Sequence, residues 1–182
     1  MSGGLKELLA DLGVQPNKAL GQNFLADPQA ARAIVAELGA GPADTVVEIG
    51  PGAGALTEHI VGRVAKLVLI EFDRKLAAHL EDRFGGTPGV EIVHADAVRY
   101  DLRPLFSSGP IKVIGNLPYS SGSEILRSFL DPPTPVVEAV FMLQREVAER
   151  LMAKPRTKAY GKLTLLLGAG WNVEPIRVLP PE

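Results

Sequence analysis

The residues whose types point most clearly to a reaction form the tetrapeptide Asn116, Leu117, Pro118 and Tyr119, which follows a predicted β-strand. An amino group on adenine is a weak nucleophile, because its lone pair is delocalised into the ring. The Asn116 side-chain amide oxygen and the Leu117 backbone carbonyl can accept hydrogen bonds from its two N–H groups and direct the lone pair toward a methyl donor. Pro118 stiffens the loop, and the Tyr119 ring offers a face on which an extruded base can stack. We interpret these four as candidate catalytic residues, with an ordinary turn as the alternative.

A glycine-rich segment, Glu48 to Thr57, joins the first predicted strand to a helix. Gly50, Gly52 and Gly54 permit a tight turn and a close approach of the backbone to a ligand. In a parallel sheet such a ligand lies at the carboxyl ends of the strands, where the strand order reverses. The segment therefore predicts a nucleotide site, with glycines needed only for the turn as the alternative.

Two acidic residues follow the next two predicted strands. Glu71 is placed to accept hydrogen bonds from ribose hydroxyls, and Asp96 to bind an adenine amino group. For Asp96, a helix cap or a turn is the alternative. The same glycine and acid pattern serves enzymes that use NAD and enzymes that use S-adenosylmethionine, so it does not choose between them.

Positive charge is concentrated between Gln144 and Lys162, where six Lys and Arg and two Glu give a local net charge of +4. The whole chain has a formal net charge of −2, which is low for a nucleic-acid binder. The local cluster can still contact phosphates. Its candidate RNA-binding residues are Arg145, Lys154, Arg156, Lys158 and Lys162. A solvated helix face is the alternative for the helical part, since Arg145 and Glu149 are four residues apart.

Length and composition indicate one domain, because 182 residues with 46% hydrophobic content can bury a sizeable core. No apolar run reaches about 18 residues, and the N-terminus lacks the pattern of a secretory signal. The absence of cysteine excludes disulfides and cysteine-ligated zinc, and the three histidines lack metal-ligand spacing. We expect a cytoplasmic protein with no membrane span and no metal.

Apolar runs alternate with helical patterns, which predicts an α/β fold with a doubly wound, mostly parallel sheet and helices on both faces. The predicted strands are residues 45–49, 66–70, 90–93, 112–114, 136–143 and 163–173. Asp27 and Asp73 are expected to cap helices, and Ser121 with Glu124 has capping-box spacing. We predict one domain over residues 1–182, with an N-terminal segment and first helix at 1–40 and the sheet core at 45–182.

Seven segments, taken in order, resemble the KsgA/RsmA family of small-subunit ribosomal RNA adenine dimethyltransferases, and they extend over nearly the whole chain. They are Gly21–Leu25, Glu48–Thr57, Glu71–Asp73, Asp96–Ala97, Asn116–Tyr119, Gln144–Leu151 and Lys158–Leu163. The resemblance implies a Rossmann-like class I methyltransferase fold. It also implies methyl transfer from S-adenosylmethionine, leaving S-adenosylhomocysteine, to N6 of two adjacent adenosines near the 3′ end of small-subunit (16S) ribosomal RNA in a pre-ribosomal particle.

The resemblance also assigns residues to the methyl donor. Asn23, Leu25 and Gly50 would contact its methionine part, Glu71 the ribose and Asp96 the adenine. Asn116 would bridge donor and target base, and the remaining donor-binding residues would be Gln22 and Gly52.

The family continues past Pro181 with a loop, an antiparallel seventh strand and a small helical domain, and we expect these to be absent from this chain. The predicted sixth strand, residues 163–173, would then expose an edge that could pair with another chain. We otherwise expect a monomer. The chain is expected to bind the donor but to methylate poorly, because the missing loop would supply a second stacking face.

Three alternatives remain open at this stage. A related family methylates a large-subunit RNA adenine, but it usually has lysine where this chain has Ala53. A non-catalytic RNA-binding ribosome-assembly factor would not need the intact tetrapeptide. A dinucleotide-dependent oxidoreductase would have no use for Asn116 to Tyr119.

Overall fold

The computed structural model describes residues 2–14 and 24–178 of the chain. The strands are β1 Thr45–Ile49, β2 Lys66–Glu71, β3 Val90–His94, β4 Ile111–Asn116 and β5 Val136–Met142. The helices are α1 Ser2–Asp11, α2 Pro28–Glu37, α3 Thr57–Ile60, α4 Arg74–Phe84, α5 Arg103–Phe106, α6 Gly122–Leu130, α7 Arg145–Leu151 and α8 Lys162–Gly168. A 3₁₀ helix, Ala97–Arg99, follows β3. None of the described helices has the length and apolar character needed to cross a membrane.

The strands form one parallel sheet with the order β3-β2-β1-β4-β5. The chain moves outward from β1 to β2 and β3, then returns to the other side of β1 as β4 and β5. The strand order therefore reverses between β1 and β4, and their carboxyl ends form the crevice in which ligands of such sheets bind. The predicted doubly wound parallel sheet is confirmed.

Apolar side chains cover both faces of the sheet, because successive residues of a strand point to opposite sides. Val47 packs in the layer that contains apolar residues of α6, α7 and α8. Its neighbour Val46 packs in the layer that contains residues of α2, α3 and α4. Every residue of β1 is buried, as predicted from its continuous apolar and β-branched sequence.

The predicted sixth strand is wrong: residues 162–168 form helix α8. Leu163 and Leu167 are 4% and 2% exposed, whereas Leu165 between them is 57% exposed. This is the spacing of a helical face, since residues four apart lie on the same side of a helix. The Thr164 hydroxyl donates a 2.5 Å hydrogen bond to the carbonyl of Arg150 and accepts one of 3.2 Å from the N–H of Gly161. The strand edge expected at 163–173 therefore does not exist.

Two of the three predicted helix caps are present. Asp27 accepts a 2.8 Å hydrogen bond from the N–H of Gln29, and Asp73 accepts bonds from the N–H groups of Lys75 and Leu76, as expected. Ser121 precedes α6 but makes no side-chain capping bond, so the predicted capping box is wrong. Helix α1 was not predicted.

Lys112 holds the amino ends of the strands against the end of α2. Its ammonium lies 3.0 Å from the Glu138 carboxylate and 3.5 Å from that of Asp44, and it donates to the carbonyls of Leu38 and Gly39. The hydrogen bond to Glu138 and the negative charges raise the pKa of Lys112. This cluster lies at the end of the sheet opposite the crevice and serves stability.

Candidate active site

A cavity of about 370 Å³ lies at the carboxyl ends of β1, β2 and β4. Its volume is in the range of small-molecule sites. Seven of the residues predicted to bind the donor or the target base line it: Leu25, Gly50, Gly52, Glu71, Asp96, Asn116 and Pro118. The structure therefore brings together residues that are far apart in the sequence, through the reversal of strand order.

The glycine loop adopts backbone conformations that favour glycine. Gly50 and Gly52 have φ angles of 64° and 58°. A Cβ built on Gly52 would lie 3.2 Å from the ring of Phe24, and one built on Gly50 would lie 3.6 Å from the backbone oxygen of Asn116. The loop is thus packed closely between the N-terminal segment and the end of β4.

Glu71 fixes the loop from the neighbouring strand. Its carboxylate accepts a 3.0 Å hydrogen bond from the N–H of Gly52 and a 2.9 Å hydrogen bond from the N–H of Asp73. The side chain is 4% exposed, and this burial raises the pKa of Glu71 although the backbone hydrogen bonds act in the opposite direction. A carboxylate has about four acceptor positions, so capacity remains for ribose hydroxyls.

Glu48 is a second buried acid at this site, and the sequence analysis did not identify it as functional. It lines the cavity, is 1% exposed and accepts a 2.7 Å hydrogen bond from the Thr57 hydroxyl. Burial raises the pKa of Glu48 to about 8, with a smaller contribution from the charge of Glu71. An acid two residues before the first glycine of the loop was the available signal.

Asp96 combines a cap with a place in the cavity wall. One carboxylate oxygen accepts a 2.9 Å hydrogen bond from the N–H of Val98, and the other lies 3.9 Å from the Arg99 side chain. The cap that was the alternative interpretation is therefore present. A carboxylate has about four acceptor positions, so the cap leaves capacity for a ligand.

The four residues of the tetrapeptide lie in three different environments. Asn116, at the end of β4, and Pro118 line the cavity. The Leu117 side chain is 2% exposed in the core, and its N–H donates a 3.1 Å hydrogen bond to the carbonyl of Met142. Tyr119 is 46% exposed and lies outside the cavity wall. The polar side chain that the segment contributes to the cavity wall is therefore that of Asn116, and the exposed aromatic ring of Tyr119 follows three residues later.

The N-terminal part of the chain contributes to the same cavity. Leu25, which the family resemblance assigns to the donor, lines the cavity, whereas Gln22 and Asn23 lie outside the described residues. Leu5 and Phe24 also line it and were not predicted. Phe24 belongs to a segment that carried the family resemblance, but nothing in the sequence singled out Leu5.

The candidate RNA-binding cations lie away from the cavity wall. Arg145 on α7 is exposed and pairs with Glu149 at 2.8 Å, as the alternative of a solvated helix face expects. Lys154, Arg156 and Lys158 lie in the exposed connection between α7 and α8, and Lys162 is the first residue of α8. Within the described ranges, these last four cations form no ion pair, so they can meet an external anion.

No cluster of three or more potential metal-ligating side chains occurs in the part of the chain that the structure describes. The cavity is lined by the glycine loop, two buried carboxyl groups and one amide side chain. This arrangement suits an organic ligand with hydroxyl and amino groups.

Comparison with known proteins shows which family the chain resembles. Residues 13–182 match the ribosomal RNA adenine dimethylase family. The chain is 44% identical over 163 residues to ribosomal RNA small subunit methyltransferase A of Acidobacterium capsulatum, covering 89% of this chain and 58% of the relative. It is 42% identical to the protein of the same name from Enterococcus faecalis, covering 88% of this chain and 56% of the relative. The chain thus spans less than two thirds of the length of these curated relatives.

Two solved structures resemble the fold. The 23S rRNA methyltransferase ErmE matches 76% of this chain and 53% of its own, with 32% identity and a TM-score of 0.63. A dimethyladenosine transferase from Plasmodium falciparum matches 80% of this chain and 52% of its own, with 26% identity and a TM-score of 0.68. Both support the methyltransferase fold expected from the sequence.

Proposed function

The chain belongs to the ribosomal RNA adenine dimethylase family, and from this membership we propose that it binds S-adenosylmethionine in the cavity described above. The proposed reaction is the transfer of methyl groups to N6 of two adjacent adenosines near the 3′ end of small-subunit ribosomal RNA. Such an activity belongs to the maturation of the small ribosomal subunit. It would place the protein in the cytoplasm, and we expect it to act there as a monomer.

The observation that carries the proposal is that Glu71 and Asn116 line one cavity. Glu71 ends β2 and Asn116 ends β4, and the two strands lie on opposite sides of β1. A donor held by Glu71 and an amino group held by Asn116 would therefore meet over the end of β1. An enzyme that binds only a dinucleotide has no target amino group, so it would not need an amide acceptor at this position.

The donor side of the cavity fits a nucleoside. Gly50 and Gly52 line the cavity and have no side chains, so a ligand can approach the backbone closely there. We propose that Glu71 accepts hydrogen bonds from the ribose hydroxyls and that Asp96 accepts one from the adenine amino group. Leu25 and Gly50 would contact the methionine part. The donor, when bound, supplies a methyl group on a sulfonium, so the protein needs to orient the two reactants rather than to form a covalent intermediate.

The amino-group side rests on the tetrapeptide. We propose that the Asn116 amide oxygen and the Leu117 backbone carbonyl accept hydrogen bonds from the two N–H groups of the target amino group. Pro118 would stiffen the loop. Such a clamp raises the electron density at nitrogen as the bond to methyl forms. Tyr119, whose ring is exposed, would stack on the extruded base.

The choice of the small-subunit RNA rests on the relatives. Curated relatives named ribosomal RNA small subunit methyltransferase A are 38% to 44% identical to the chain over most of its length. We propose that Arg145, Lys154, Arg156, Lys158 and Lys162 contact phosphates of the RNA. Four of these cations are exposed without an ion-pair partner in the described ranges, which supports phosphate contacts.

Calorimetric titration with S-adenosylhomocysteine tests the donor site. We expect saturable binding of one ligand per chain, which Glu71→Ala abolishes and the exposed control Glu37→Gln leaves unchanged. Binding of NAD without binding of S-adenosylhomocysteine would overturn the proposal in favour of an oxidoreductase.

A methylation assay tests the target. With labelled S-adenosylmethionine and undermethylated small subunits, we expect incorporation at adenine N6 that Asn116→Ala abolishes while donor binding persists. Incorporation into large-subunit RNA instead would point to the related family, and activity that survives Asn116→Ala would refute the assignment of Asn116.

A further inference from the structure

We infer that helix α1 is part of the donor site and that the side chain of Leu5 contacts the bound nucleoside donor. This inference rests on the proposed function, since it names a further residue for the same ligand. Neither the sequence patterns nor the family motifs assign anything to α1.

Leu5 lines the cavity from a helix that is outside the sheet layers. Phe24 and Leu76, which also line the cavity, belong with Leu5 to a small apolar cluster around the buried side chains of Leu9 and Val14. This cluster is separate from the two main core layers. Its position gives the cavity an apolar wall built from the N-terminal segment and the first turn of α4.

The end of α1 is tied to α4 at the same place. The Lys75 ammonium donates a 2.7 Å hydrogen bond to the backbone carbonyl of Gly13, two residues after the helix ends. The next residue, Leu76, is 1% exposed, and its N–H is held by the Asp73 carboxylate. The N–H of Asp73 is in turn held by Glu71.

These contacts connect α1 to the proposed ribose acceptor. Because Glu71, Asp73 and Leu76 are linked by direct hydrogen bonds and sequence proximity, a ligand on Glu71 lies beside the wall that α1 completes. An apolar side chain in this wall removes water from one face of the ligand and gains stability from the buried apolar area. Leu5 is only half-buried in the protein alone, so it retains surface that a ligand can cover.

The test compares two leucines of the same helix. Leu5 and Leu8 are both half-buried, but only Leu5 lines the cavity. We expect Leu5→Ala to weaken the binding of S-adenosylhomocysteine by about fivefold, as loss of roughly 1 kcal/mol of apolar burial predicts. Leu8→Ala should change the affinity by less than about twofold, and both variants should keep the wild-type helical content by circular dichroism.

Hydrogen exchange of the wild-type chain gives a second measurement that needs no substitution. We expect S-adenosylhomocysteine to slow the exchange of the amides of residues 2–14, because the ligand adds a contact that opening of α1 would break. Equal affinities of wild type, Leu5→Ala and Leu8→Ala, together with unchanged exchange, would overturn this inference and leave the proposed function standing. Absence of any binding to the wild-type chain would overturn both.

Discussion

The backbone N–H of Gly52 donates a 3.0 Å hydrogen bond to the carboxylate of Glu71. This bond joins the glycine loop after β1 to the end of β2, so the group proposed to hold the ribose also sets the position of the loop. Because the Asp73 N–H occupies the other carboxylate oxygen, the connection from β2 to α4 is fixed at the same point. One buried acid thereby organises two of the segments that surround the cavity.

Glu71→Gln is expected to disturb both functions of this carboxylate. An amide has one acceptor oxygen, so one of the N–H groups of Gly52 and Asp73 loses its partner and meets an NH₂ group instead. We expect the free energy of unfolding to fall by about 1 kcal/mol and the affinity for S-adenosylhomocysteine to fall by about tenfold or more. Urea denaturation and calorimetry measure the two effects, and the exposed Glu37→Gln serves as the control. Wild-type affinity in Glu71→Gln would contradict the assignment of Glu71.

The raised pKa of Glu48 predicts that the stability of the fold depends on pH. Burial raises the pKa of Glu48 from its ordinary value of 4.5 to about 8 in the folded protein. Between these values the unfolded chain releases a proton that the folded chain retains, so Glu48 makes stability fall as pH rises. Above about pH 8 both states are ionised, and this contribution stops changing.

Glu48→Gln should remove that dependence, because the neutral amide can still accept the hydrogen bond from the Thr57 hydroxyl. The difference between wild type and variant should grow with pH from about 5 to about 8, with a slope of at most about 1.4 kcal/mol per pH unit. Urea denaturation at several pH values measures it. Parallel pH profiles for the two proteins would show that Glu48 does not titrate in this way.

Three leucines of α8 distinguish a helix from a strand. In the helix, Leu163 and Leu167 are buried and Leu165 is exposed, whereas in a strand all three would lie on one face. Leu163→Lys and Leu167→Lys should each lower the free energy of unfolding by about 2–4 kcal/mol, and Leu165→Lys by less than about 0.5 kcal/mol. Chemical denaturation measures all three, and equal losses would support the strand.

That correction shows where sequence reasoning was insufficient. Leucine runs fit a buried helix and a buried strand alike, and the alternation of Leu163, Leu165 and Leu167 was compatible with both. The deciding interactions are tertiary: the Thr164 hydroxyl reaches the Arg150 carbonyl, and Leu163 and Leu167 pack in the layer of α6 and α7. Such contacts become visible only when the elements are assembled.

The sheet itself was predictable because its signals are local. Continuous apolar runs gave β1 to β5 to within two residues at each end, and Asp27 and Asp73 gave two helix starts. The cavity residues after the strands followed from their motifs, from their place at the carboxyl ends of the strands and from the family resemblance. Leu5 and Glu48 were not assigned, since their contribution depends on how α1 and the glycine loop pack around the cavity.

Lys112 is expected to contribute more to stability than a surface ion pair. Its side chain is 18% exposed and contacts two carboxylates and two carbonyl oxygens, so Lys112→Met removes several interactions together. We expect a loss of about 1–2 kcal/mol. Lys66→Met is the matched control, because its pair with Glu91 is 40% and 51% exposed and should contribute less than about 1 kcal/mol. Equal losses from the two substitutions would contradict the anchoring assigned to Lys112.

The central claim is that the donor and the target amino group occupy neighbouring halves of one cavity, with Asn116 between them. A bisubstrate analogue, in which the N6 atom of an adenosine is linked to the methyl-donor position of an S-adenosylmethionine analogue, tests this directly by its dissociation constant. We predict that the wild-type chain binds this analogue at least about tenfold more tightly than S-adenosylhomocysteine. Asn116→Ala should remove this gain, so that it lowers the affinity for the analogue far more than the affinity for S-adenosylhomocysteine. No gain in the wild type, or a gain that Asn116→Ala retains, would contradict it.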